Sequence, residues 1–108
     1  MYQLYSQNQK THDKIVKALT IMENWTKFEV IIENCNERLS QYQGYDPATN
    51  TCHWRPLKVC RAIADSSIEI DLPNRRFHYF CDIKAVNVKD RAVIIEADDG
   101  RIYTITGH

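Results

Sequence analysis

Residues 67–107 constrain this chain more than any other stretch, because they read as strand after strand with turn residues between them. Ile68-Glu69-Ile70-Asp71-Leu72 alternates apolar and acidic positions with a period of two. The segments beginning at Arg76, Arg91 and Arg101 are rich in β-branched and aromatic residues. Pro73-Asn74, Lys89-Asp90 and Asp98-Asp99-Gly100 separate them. Alternation bounded by such turns predicts antiparallel strands, with a hairpin closing on Gly100. Phe77, Tyr79, Cys81 and Ile83 share one face, but between Ile83 and Val86 the apolar parity flips. A one-residue flip predicts a bulge near Lys84-Ala85, the device by which small barrels turn a strand.

The first half reads differently. Residues 1–10 are polar and are expected to form a flexible arm. Ile15, Ala18, Leu19 and Met22 recur at helical spacing after a start near Thr11 or His12. Thr26-Lys27-Phe28-Glu29 has the form of a capping box, which predicts a second helix from Thr26 to about Tyr42, stopped at Gly44. At 100° per residue Phe28, Ile31, Ile32, Cys35 and Leu39 fall within about 60° of one line, the expected core face. Glu29, Glu33 and Glu37 then form an acidic stripe on its flank. Residues 43–55 read as a loop bearing Tyr45, His53 and Trp54. Pro56 suits the first turn of a short third helix over 57–64, with a strand through Leu57, Val59 and Arg61 as the alternative.

The expected architecture is therefore α+β. Two or three N-terminal helices (helical half 11–65) pack on a partly barrel-like antiparallel sheet of four or five strands (β half 67–107). At 108 residues this is one domain, large enough for a modest core. Fourteen basic residues balance fourteen acidic ones, so any polyanion site has to be a local patch. No apolar run reaches the roughly 18 residues of a membrane span, and residues 1–12 lack the apolar centre of a signal peptide. The expectation is a cytoplasmic protein, without membrane contact, whose four cysteines stay reduced.

Candidate chemistry is sparse. Cys52, Cys60, His78 and Cys81 are the one set of soft ligands, but they lack a short Cys-x-x-Cys knuckle. On a regular strand His78 and Cys81 point to opposite faces. No metal, cofactor or small-molecule substrate is expected. No phosphate-binding glycine loop or nucleophile elbow is present, so no catalytic residue is assigned and the chain is read as a non-enzyme. The leading expectation is a small binding or regulatory module that contacts a protein partner or a second copy of itself, through Trp54, Tyr45, Glu29, Glu33 and Glu37. The alternative is a winged-helix-like nucleic-acid binder in which Arg55, Lys58 and Arg61 line a third helix and Arg75 and Arg76 form a wing.

Overall fold

The computed structural model describes residues 9–35, 39, 42–61, 67–74, 76–80 and 83–108. Among them one α-helix, α1 (Gln9–Met22), precedes nine strands: β1 (Phe28–Glu33), β2 (Tyr45–Asp46), β3 (Thr51–Trp54), β4 (Lys58–Arg61), β5 (Ile68–Asp71), β6 (Phe77–Phe80), β7 (Ile83–Lys89), β8 (Ala92–Ala97) and β9 (Ile102–Gly107). The strands form a six-stranded sheet in the order β2-β3-β1-β9-β8-β7 and a three-stranded sheet, β4-β5-β6. Every pairing is antiparallel. The fold is mostly β, which overturns the expectation of two or three helices on one sheet.

The predicted second helix is strand β1, and the reason lies in its own residues. Phe28-Glu29-Val30-Ile31-Ile32-Glu33 satisfies two periods at once, and Val30, Ile31 and Ile32 are β-branched, which favours the extended one. Alternation wins: Phe28, Val30 and Ile32 are buried, while Glu29, Ile31 and Glu33 face out. Neighbouring strands supply what a helix cannot. Val30 lies between Trp54 of β3 and Ile105 of β9, and Ile32 between Cys52 and Tyr103. The apparent capping box is used elsewhere. The Thr26 and Lys27 amides donate to the His108 carbonyl at 2.9 and 3.1 Å, extending the β1–β9 ladder. Ile31, expected in the core, is 43% exposed.

Residues 58–61 likewise form β4 rather than a helix, paired with β5 from Lys58–Asp71 to Arg61–Ile68. Val59 points inward, as the strand alternative has it, and Leu57, on the apolar side of the expected helix, stands 67% exposed. Residues 43–55 are a β2–β3 hairpin rather than a loop. At its base Gly44 adopts φ +89°, and its carbonyl accepts the His53 amide at 3.0 Å. A side chain at Gly44 would run into the His53 backbone. Gly44→Ala is therefore expected to cost about 1–3 kcal/mol from the left-handed backbone alone, measured by urea unfolding.

In the second half strands form where the alternation predicts them, but the expected face of the segment beginning at Arg76 is reversed. Phe77 is 51% exposed, His78 is buried, and Ile83 starts a separate strand in the other sheet. The register of β7 on β8 shifts between Ile83 and Ala85, at the predicted bulge. The β8–β9 hairpin turns at Gly100 (φ +92°), whose amide donates to the Ala97 carbonyl. The first helix also matches its stripe: Ile15, Ala18 and Met22 are fully buried and Leu19 partly so. Its described part already includes Gln9 and Lys10, which the sequence reading assigned to a flexible arm, and it packs against β7 and β4. No helix among the described residues is long and apolar enough to cross a membrane.

The core lies where the inner faces of the two sheets meet. Val30, Ile32, Val93, Ile95, Tyr103 and Ile105 come from the six-stranded sheet, and Val59, Ile68, Ile70 and His78 from the three-stranded one. Ile70 stands opposite Val59 on one side and His78 on the other. That register points the imidazole at the larger sheet.

Candidate functional site

A groove of about 650 Å³ opens between the β2–β3 hairpin and the turn that joins β5 to β6. Gly44, His53 and Arg55 form one wall; Leu72, Pro73, Asn74 and Arg76 form the other. Tyr42 and Trp54 also line it. Period-two geometry builds this arrangement: Cys52 and Trp54 of β3 turn inward while His53 and Arg55 turn out. The opposite wall is held by its turn, in which the Leu72 amide donates to the Arg76 carbonyl at 2.9 Å. The Tyr42 hydroxyl donates to the Phe77 carbonyl at 3.4 Å, tying the aromatic lining to that wall.

Beneath the groove the aromatic rings continue into the core. Trp54 packs 5.2 Å from Tyr42 and 5.1 Å from His78, centroid to centroid. His78 Nε2 lies 2.7 Å from the Tyr103 hydroxyl. Arg101 covers the Tyr103 ring at 5.6 Å, with its Nε 2.6 Å from Asp99 Oδ2. Burial, and secondarily the Arg101 charge, lower the His78 pKa to about 4, so the ring is neutral at neutral pH. Burial likewise pushes the Tyr103 hydroxyl upward. A neutral imidazole locked between rings has the character of a structural link between the sheets. Trp54 Nε1 is buried without a hydrogen-bond partner among the described residues, and a donor left unsatisfied costs about 1–3 kcal/mol.

Of the five basic residues singled out by sequence, the groove brings Arg55 and Arg76 together. Lys58 lies on β4 opposite Asp71, away from the groove, and Arg61 closes that strand with its side chain outside the described part. Arg75 lies outside the described residues. The helix meant to present Arg55, Lys58 and Arg61 is replaced by β4, so the winged-helix arrangement is absent among the described residues.

The residues expected to meet a partner are scattered. Trp54 is 4% exposed, so its ring supports the groove from below. Tyr45 is half-buried, and its hydroxyl donates to Asn50 within the same hairpin at 3.1 Å. Glu29 and Glu33 share the outer face of the six-stranded sheet, and Glu37 lies outside the described residues. Glu29 reaches both His53 Nε2 and Arg55 Nε at 3.7 Å, on exposed side chains where such pairs contribute little.

No family model, curated protein or solved structure matches this chain. The functional reading therefore rests on the site.

Among the described residues the ligand set suggested by sequence is not brought together. Cys52 faces the core beside Cys35, His78 is engaged with Tyr103, and Cys81 lies outside the described residues. A different set meets on the outer face of the small sheet: Cys60, Glu69 and Asp71 place one ligand atom each within 4.8 Å of one another. The Cys60 thiol donates to Glu69 Oε2 at 3.8 Å. Burial, then the hydrogen bond and charge of Glu69, push the Asp71 carboxyl up to about 6. Sequence reading missed this cluster because it depends on register, which pairs Cys60 with Glu69. The groove was missed for a similar reason. Its sequence signal is weak: the turn residues Asp46-Pro47 and Asn50 lie between runs too short to tell a hairpin from a loop.

Proposed function

We propose that this chain is a non-enzymatic binding module that takes an acidic, extended segment of a protein partner in the groove between the β2–β3 hairpin and the β5–β6 turn. The observation that carries the reading is the placement of Arg55 and Arg76 on opposite walls of one open groove lined by Tyr42 and Trp54. Guanidinium groups pair with carboxylates through two parallel hydrogen bonds, and two on facing walls suit an elongated anion better than a point charge. Aromatic lining adds apolar contact for the stem of the bound segment. In a chain of zero net charge, such local convergence is what favours an anionic ligand.

The test is titration of the protein with a fluorescent Glu/Asp-rich peptide at two salt concentrations. Binding is expected to weaken with salt and to fall at least about tenfold in Arg55→Ala/Arg76→Ala, taking each charged contact at about 1.5–3 kcal/mol. Glu29 competes with the ligand for Arg55, so Glu29→Gln is expected to tighten binding by up to about fivefold, the scale of an exposed ion pair. Binding unchanged in the double variant would refute the assignment. Tighter binding to single-stranded oligonucleotides than to the acidic peptide would replace the protein ligand with a nucleic acid.

A further inference from the structure

We propose that Cys60, Glu69 and Asp71 form a binding site for a divalent transition-metal ion of the zinc type, on the outer face of the three-stranded sheet. The site belongs to the small sheet and is independent of the arginine groove. Its geometry follows from the ladder: Cys60 of β4 stands opposite Glu69 of β5, and Asp71 lies two residues further along the same face. The three half-buried side chains place their ligand atoms within 4.8 Å of one another. A tetrahedral zinc ion with Zn–S of about 2.3 Å and Zn–O of about 2.1 Å needs sulfur and oxygen ~3.6 Å apart. Cys60 Sγ and Glu69 Oε2 are 3.8 Å apart. Cys60 and Glu69 thus stand near ligand spacing already. Asp71, within 4.8 Å of both, completes a three-ligand shell by a side-chain rotation of about an ångström, leaving a fourth position for water or an external ligand.

A second observation points the same way. One oxygen of the half-buried Asp71 carboxyl, Oδ1, is buried and has no hydrogen-bond partner among the described residues, although the carboxyl as a whole interacts with Glu69. A buried carboxylate oxygen without a donor is costly, and a cation is the partner that would satisfy it together with the neighbouring carboxylate and thiolate. Lys58 stands opposite Asp71 in the ladder, yet its ammonium leaves that oxygen without a bond. Ligand type decides the metal class. One thiolate with two carboxylates suits zinc, cobalt or ferrous ions, whereas calcium and magnesium prefer all-oxygen shells.

Cobalt(II) reports on the site directly, because a thiolate ligand to cobalt produces near-ultraviolet charge-transfer absorption. The full chain, kept reduced with a non-chelating phosphine, is titrated with cobalt and then with zinc against a chromogenic chelator. The expected result is a saturable band at one equivalent, bleached by zinc. Cys60→Ser should abolish the band. Glu69→Gln, on a half-exposed side chain, should keep the circular dichroism of the parent and weaken zinc binding at least about tenfold. Absence of the band in the parent protein, or its survival in Cys60→Ser, would overturn the proposal. So would unchanged zinc affinity in folded Glu69→Gln.

Discussion

Ile32→Ala is expected to destabilise the protein by about 2–5 kcal/mol, and its neighbour Ile31→Ala by no more than about half a kcal/mol. Ile32 is fully buried between Cys52 and Tyr103, so truncation removes apolar contacts and leaves a cavity in the middle of the larger sheet. Ile31 points out between His53 and Thr104, where an alanine still fits the pleat. A helix over the same residues would bury both side chains and make both substitutions costly. Urea unfolding of the two variants separates the alternatives: similar losses at both positions would contradict β1.

The second large effect is on acid stability, through His78. Its folded pKa is lowered to about 4, whereas the unfolded ring titrates near 6.5. Between those values the unfolded chain binds a proton that the folded one refuses, so stability rises with pH across the window and is lost as pH falls from about 6.5 to 4. The full shift corresponds to roughly 3 kcal/mol. Arg101 opposes protonation and Asp99 favours it, but burial dominates. Asp71 works in the opposite direction, since a raised carboxyl pKa favours the folded state at low pH. Comparison with His78→Phe cancels that contribution. The variant retains an aromatic ring against Trp54 and leaves the Tyr103 hydroxyl without its partner. It is expected to be weaker than the parent at pH 7 and to lose less on acidification. Parallel pH profiles for the two proteins would show that His78 is not the titrating group.

What could be read from sequence follows from how local each signal is. Strands β5, β8 and β9 are legible because Ile68-Glu69-Ile70-Asp71 and the runs after Arg91 and Arg101 alternate between clear turns. Strands β6 and β7 read as one strand because no Gly, Pro or Asn marks the passage from one sheet to the other. The bulge at Lys84-Ala85 was legible because parity must flip somewhere between Ile83 and Val86. Strand β1 was not, since Phe28-Glu29-Val30-Ile31-Ile32-Glu33 fits helix and strand periods alike. What decides it is pairing with Ile102–Gly107, at the other end of the chain. Long-range pairing also assembles the sites. Arg55 and Arg76 meet across a groove because β3 and β5 lie in different sheets whose inner faces pack together. Cys60 and Glu69 meet through a register that no local pattern encodes. The aromatic residues of 43–55 sit on a hairpin that no local pattern distinguishes from a loop: Trp54 supports the groove from within, and His53 and Arg55 face the solvent.

The most direct test of the central claim is a residue-resolved map of where an acidic peptide binds. Amide chemical shifts of the isotopically labelled protein are followed as a Glu/Asp-rich peptide is added at low salt. The account predicts that perturbations cluster at Gln43, Gly44, His53, Arg55, Asn74 and Arg76, and that they reverse when salt is raised. Perturbations centred on Ile31, Ile94 and Ile102 of the outer sheet face, or a spectrum that does not change, would contradict it.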